Sequence, residues 1–337
     1  MKIKAVLLVL ILIATSPLFM NGEVRAGEKS QQFNSALLEG QEAQVAQGEA
    51  AAPYRTSVIS PASGFVLYGR DDGTSWLKDT EGDRRVLDGR QPRLSPDGRY
   101  IVVRRWDTLG GDLYLYDLVA NQDKLIFENP SDYIVGFSWS MDGSRIYFDY
   151  GCEIYAMHPD GSDQQMIVPY WPSDDPDSHG CYNDAPDVNP VDGRIAWHNE
   201  WHGIGLATGD GQNPHWLYNS APGDLSPRWS PDGKWIVFIR WSTKNLYKIR
   251  SDGSGLTQLT FLSDPDSMSF WTGAWEAGGA WFLAPATVSG VNLLYAIAMD
   301  GSGRMAPLHT EPGAAPVYVG NAGSWDFHFV HLPLVMR

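Results

Sequence analysis

An all-β fold, a six-bladed β-propeller with four antiparallel strands in each blade, is predicted by three observations. The first is a turn that recurs: Ser95 to Gly98, Ser140 to Gly143, Pro190 to Gly193 and Ser230 to Gly233 all end in Asp-Gly, and their glycines stand 45, 50 and 40 residues apart. The second is the pattern after each turn. A short apolar run leads into another run, usually closed by a second Asp-Gly, at Asp160-Gly161, Asp210-Gly211, Asp252-Gly253 and Asp300-Gly301. The third is composition: 14 Trp, 35 Gly and 22 Pro, with no long amphipathic helical pattern, suit short strands joined by many turns.

Asp-Gly between runs of β-branched and aromatic residues signals a hairpin, because the glycine accepts positive φ and the aspartate bonds its own backbone. Two hairpins per repeat make a four-stranded unit, and a period of 40 to 50 residues is that of a propeller blade. The strand after the first turn is Tyr100 to Val103 in the second blade and Arg145 to Phe148 in the third. It is Arg194 to Trp197 in the fourth and Trp235 to Ile239 in the fifth. Degenerate copies extend the series at both ends: Pro61 to Gly64 before Phe65 to Tyr68, and Glu276 to Gly279 before Ala280 to Leu283. Six blades thus fall between about Tyr54 and Pro312. Val317 to Val319 and Trp325 to Val330 read as two more strands, which close the ring onto the first blade, pack beneath it, or contribute to a seven-bladed alternative.

Pro227 to Phe238, followed by Asn245 to Thr260, closely resembles the repeat of TolB-like propellers, a WD-type architecture. The resemblance is clearest in the second, third and fifth blades and weak in the first and sixth. It implies a six-bladed ring and a binding role. It carries over no catalytic residue, because the repeat is a folding motif shared by enzymes and non-enzymes.

Residues 1–26 read as a secretory signal: Lys2 and Lys4 precede the apolar Ala5 to Ala14, and Val24-Arg25-Ala26 offers small residues before Gly27. That apolar run is short for a bilayer span, so no transmembrane segment is expected after cleavage. Residues 27–53, rich in Gln, Glu, Ala and Gly, read as a flexible leader, and residues 54–337 as the propeller with its closing strands. The expected location is secreted or periplasmic. The formal charge is −15, and removing residues 1–26, which carry a net +2, leaves −17. Such a surface disfavours nucleic acid and anionic membranes. The resemblance to TolB-like domains implies a cell-envelope or extracellular protein, peptide or glycan as the partner, and no cofactor is called for.

In a propeller the turns after the first and third strands of each blade share one face. The Asp-Gly turns occupy it. The opposite face, with the second-to-third-strand turns and the blade connections, is where loop-borne function is expected. Aromatics recur there: Trp106, Tyr150, Trp201 and Trp241 end or follow the second strands of four successive blades, and Trp171 and Trp271 lie in connections. They form either a ligand platform or the filling of wedges between blades.

The longest insertion, Pro169 to Pro186, contains Cys181, and Cys152 maps to the same face, so an exported chain is expected to join this pair in a disulfide. Asp174, Asp175, Asp177, Asp184 and Asp187 lack a regular calcium-loop spacing and read as a solvated acidic loop. His198, Glu200 and His202, with His179 nearby, have a spacing that permits a shared strand face, as metal ligands or an acid and base. Arg70 to Trp76 resembles the Asp-box turn of sialidases, in a single copy and without their arginine triad. No Gly-x-Ser-x-Gly elbow is present. The leading expectation is a non-catalytic binding or scaffold module. The alternative is a polysaccharide- or peptide-degrading hydrolase or lyase using Glu200, Asp149 or the neighbouring histidines.

Overall fold

The computed structural model describes residues 66–69, 73–79, 82–105, 111–129, 134–169, 183–268, 273–276 and 278–307. Among them there is no helix, and therefore none long and apolar enough to cross a membrane. The expected signal and leader, the closing strands, Trp106, Trp171, Trp271, His179 and Cys181 lie outside the described residues.

The first blade contributes β1 (Val66–Gly69), β2 (Thr74–Asp79) and β3 (Gly82–Asp88). The second holds β4 (Arg90–Leu94), β5 (Tyr100–Arg105), β6 (Asp112–Asp117) and β7 (Gln122–Phe127). The third holds β8 (Phe137–Trp139), β9 (Ile146–Tyr150), β10 (Glu153–Met157) and β11 (Gln165–Val168). The fourth holds β12 (Asp184–Val188), β13 (Ile195–Asn199), β14 (Gly203–Ala207) and β15 (His215–Trp216). The fifth holds β16 (Asp224–Trp229), β17 (Trp235–Arg240), β18 (Asn245–Arg250) and β19 (Thr257–Gln258). The sixth holds β20 (Ser267–Met268), β21 (Ala274–Trp275), β22 (Trp281–Val288), β23 (Val291–Ala298) and β24 (Met305–Pro307).

Strands follow chain order within each sheet, and every pairing is antiparallel. The first strands touch from blade to blade, β4 with β8, β8 with β12 and β12 with β16, which places them around the axis. In the sixth blade β20 and β21 both pair with β22, so its inner strand is in two pieces. In sequence β1 follows Pro61 to Gly64 as β5 follows Ser95 to Gly98, so β1 corresponds to a second strand; the segment before it lies outside the described residues.

The turn chemistry repeats with the sequence. In the fifth blade Ser230 Oγ donates to the Asp232 carboxylate at 2.6 Å and accepts the Trp235 N–H at 2.9 Å, while Gly233 N–H returns to Ser230 O at 2.9 Å. Ser140, Asp142 and Arg145 repeat the arrangement at 2.7 and 2.9 Å. In the fourth blade Asn189 takes the serine's place and reaches across to the fifth, its Nδ2 donating to Gly233 O at 3.0 Å.

The second Asp-Gly turns do more than close hairpins. Gly161, Gly211 and Gly253 have φ of +88°, +79° and +80°. A Cβ on them would lie 2.4 Å from Ile126 O, 2.0 Å from Ile167 O and 2.4 Å from Tyr218 O, respectively. Ile126 and Ile167 belong to the outer strands of the preceding blades, and Tyr218 follows one, so each turn is also a contact point between blades.

The core lies in the wedges between sheets. Phe137, Trp139 and Phe148 of the third blade meet Val102 and Leu113 of the second, and Trp229 and Phe238 of the fifth meet Ala196 and Leu206 of the fourth. At the seam Tyr68 and Trp76 of the first blade pack with Leu283, Leu294 and Ala296 of the sixth. The first and last blades are therefore direct neighbours, and the ring closes at six. Burying each large aromatic in a wedge stabilises the ring by about 1.5–3 kcal/mol.

Candidate functional site

The two faces differ less in turn length than the sequence reading expects. The second-to-third-strand turn is only Gly151-Cys152 in the third blade and Ser289-Gly290 in the sixth. The length on that face belongs to the blade connections, such as residues 217–223 between β15 and β16.

At the fourth and fifth blades this rim is tied together by backbone. The Asn199 side-chain oxygen accepts the N–H groups of Trp201 and His202 at 3.0 and 3.2 Å, fixing the turn after β13. Gly223, in the connection, donates to Glu200 O at 2.9 Å and accepts the Trp241 N–H at 2.8 Å. Its φ is +78°, and a Cβ there would lie 3.1 Å from the Trp241 Cβ. The two turns, and the tryptophans they carry, are thus joined through one glycine. Trp201 and Trp241 are 55% and 50% exposed, outside the wedges.

The remaining predicted aromatic in the described residues behaves differently. Tyr150 is half-buried and packs edge-on against Phe127 at 5.3 Å and Tyr155 at 6.1 Å, as the wedge reading expects.

The structure does not bring His198, Glu200 and His202 together. His198 is buried in β13, where its Nδ1 accepts the Ser226 N–H of the fifth blade at 3.4 Å. Burial, and then the Arg228 charge, push its imidazole down to about 3, so it is neutral across the ordinary pH range. His202, in the turn after β13, stacks on Trp216 at 4.7 Å. Glu200 lies on the exposed rim, where partial desolvation holds its carboxyl above the usual range. Among the described residues no three His, Cys, Asp or Glu side chains are grouped to hold a metal ion. Cys152 occupies the β9–β10 turn with φ +77°.

Around the axis the structure assembles a charged group that the sequence reading missed. One inner-strand position, two residues before the Ser, Asn or Glu that opens each first turn, carries Arg93, Ser138, Asp187, Arg228 and Ala274 in the second to sixth blades. Asp187, counted in the acidic loop by sequence, is instead a buried strand residue. In three blades the charged residue follows a proline and a left-handed residue: Gln91, Ala185 and Ser226 have φ of 55°, 50° and 53° and precede Pro92, Pro186 and Pro227. Each coincides with a register shift against the second strand. A bulge of this kind re-aims the side chains beside it.

Arg228 Nη1 lies 3.6 Å from Asp187 Oδ1 and donates to Pro227 O at 2.8 Å. Asp187 Oδ2 accepts the Trp229 N–H at 2.7 Å, and Ser138 Oγ donates to Oδ1 at 3.4 Å. Arg93 Nε donates to Phe137 O at 3.3 Å. Burial, and then the Arg228 charge, push Arg93 down to about 9, and burial holds Asp187 above the usual carboxylate range.

Two more buried carboxylates act as staples. Asp149, at the end of β9, accepts the N–H groups of Val135 and Gly136 at 2.6 Å each and of Ala185 in the next blade at 3.1 Å. Burial outweighs these donors and pushes its carboxyl up to about 7. Asp224 is clasped by Arg240 through Nε at 2.7 Å and Nη2 at 2.8 Å, and accepts the Ala221 N–H at 2.8 Å.

No family model and no curated protein matches the chain. Solved structures do. TolB from Acinetobacter baumannii aligns with a TM-score of 0.60 at 18% identity, over 80% of this chain and 68% of that one. A putative TolB from Agrobacterium tumefaciens aligns with a TM-score of 0.53 at 17% identity, over 72% of this chain and 87% of that one. An oligogalacturonate lyase in complex with manganese aligns with a TM-score of 0.51 at 15% identity, over 75% and 76%. At such identities the likeness speaks of architecture alone, and in architecture this chain is a TolB-like, six-bladed β-propeller.

Proposed function

We propose that the chain is an exported, non-catalytic binding module that holds a protein, peptide or glycan on the face carrying Trp201 and Trp241. The observation that carries this reading is the Gly223 bridge, which joins the backbones of the two turns carrying the half-exposed Trp201 and Trp241. Exposed indoles are efficient contact surfaces for sugar rings and apolar side chains, because a large area is presented by a side chain with only two rotatable bonds. The likeness to TolB supports a binding role as an analogy of fold.

The test is an array of glycans and peptides probed with the mature chain and with Trp201→Ala and Trp241→Ala. Each substitution is expected to weaken the captured ligand by about tenfold or more. Equal binding by all three proteins, with only thermal stability lowered in the variants, would remove the platform. Incubated with the protein, the ligand is expected to keep its length; cleavage products would replace this reading with the hydrolase or lyase one.

Export and the cysteine pair are part of the same proposal. Cleavage after Ala26 and a Cys152–Cys181 disulfide would fasten the 170–182 segment to the β9–β10 turn. The intact mass of the protein recovered outside the cytoplasm reads both. The expected species begins at Gly27 and is two hydrogens lighter than its reduced form; an intact N-terminus or two alkylatable thiols would contradict the respective half.

A further inference from the structure

The axial arginines have a hydrogen-bonding capacity that the fold does not use. Arg93 and Arg228 are only 5% and 4% exposed, yet Arg93 Nη1 and Arg228 Nε and Nη2 meet no acceptor among the described residues. A buried guanidinium without partners is costly, so such donors mark either a strain on the fold or a place for a guest. Their placement favours the guest. Arg93 comes from the second blade and Arg228 from the fifth, opposite each other in a ring of six, so they approach across the axis.

The free edge of Arg228 also states what it fits. Nε and Nη2 are the same two donors with which Arg240 clasps both oxygens of Asp224 in this protein, at 2.7 and 2.8 Å. That fork matches a planar pair of oxygens. The charge balance narrows the choice further. Asp187 is the one carboxylate bonded within this group, and its oxygens are already engaged by Trp229 N–H, Ser138 Oγ and Arg228 Nη1. Two guanidiniums facing Asp187 and, from β9, Asp149 leave at most one positive charge, which suits a monoanion better than a phosphate dianion.

We propose that Arg93 and Arg228 form an axial binding site for a carboxylate group, gripped side-on by Arg228 Nε and Nη2 and by Arg93 Nη1 from the opposite blade. This site is separate from the tryptophan rim and does not depend on it. The backbone bulges at Gln91 and Ser226 set the two arginines in position.

The probe is sodium acetate, titrated into 15N-labelled mature protein while the arginine Nε–H signals are followed, with sodium chloride at matched ionic strength as the control. A saturable shift of the Arg228 Nε–H signal is expected with acetate and not with chloride. Arg228→Lys keeps the charge and loses the fork, and should weaken acetate by about tenfold or more. If that variant does not fold, Arg93→Gln and through-bond assignment on the wild-type protein give the same reading. No acetate-specific shift in the wild type, tighter binding of phosphate than of acetate, or undiminished binding by a folded Arg228→Lys would each overturn the proposal.

Discussion

Replacing Gly211 by alanine is expected to destabilise the ring by about 3 kcal/mol or more, since its added Cβ makes the closest approach of any described glycine. Two penalties coincide there. The backbone sits at φ +79°, and the added Cβ would fall 2.0 Å from Ile167 O, in the outer strand of the neighbouring blade. Gly193→Ala separates them, because Gly193 has φ +73° and a Cβ added there would have nothing within 4 Å. Its cost is expected to be the left-handed penalty alone, about 1–2 kcal/mol. Urea unfolding of the two variants side by side makes the comparison. Equal losses would mean that the blade contact at Gly211 relaxes freely and carries no weight.

Asp149→Ala is expected to lower stability by at least about 3 kcal/mol, since it strands three N–H groups of the inner strands and their connection. Asp149→Asn keeps an acceptor and should lose less. The two are also separated by pH. Burial raises the folded-state carboxyl to about 7 from an ordinary value of 3.8, so folding favours its neutral form. The stability this group contributes is therefore fully present below pH 3.8 and is lost as pH rises through about 7. The advantage of wild type over Asp149→Asn should accordingly shrink between those limits, as read from unfolding midpoints at a series of pH values. A constant or growing advantage would show that the three N–H donors, rather than burial, govern the carboxyl.

Much of the fold was legible because the information is local. The Asp-Gly turn is built from its own side chains, as Ser230, Asp232 and Trp235 show, so a motif of four residues located the second to fifth blades, and degenerate copies of it the first and sixth. Blade number followed from the period, and the structure bears out six blades. Two things were not local. The second Asp-Gly turns read as ordinary hairpin closures, and nothing in Asp210-Gly211 announces that Ile167 O, on another blade, lies against it. The axial charges were hidden for a related reason. Arg93, Asp187 and Arg228 sit beside prolines in short strands, where a charged residue normally reads as solvent-facing. Only closing the ring turns that side of the strand inward. A signal was present: an x-Pro-charged triplet two residues before Ser95, Asn189 and Ser230, repeated at blade spacing.

The rim was half legible. Sequence placed aromatics at repeat-equivalent positions but gave no means of telling Tyr150, folded into its wedge, from Trp201 and Trp241, which stand clear of theirs. The same limit applied to His198, Glu200 and His202. A period of two placed His198, Glu200 and His202 on one face, but Glu200 and His202 lie in the turn beyond β13, where strand alternation stops.

The inner-strand position that reads Arg93, Ser138, Asp187, Arg228 and Ala274 has a consequence for orientation. The described blades share one strand pattern, but this buried position does not repeat with it: Arg93, Asp187 and Arg228 are charged, Ser138 is polar and Ala274 is apolar. Turning the described lining by one blade therefore does not superpose it on itself, so the near-equivalence of the strands is broken at the centre, and each blade has a chemically distinct inner address.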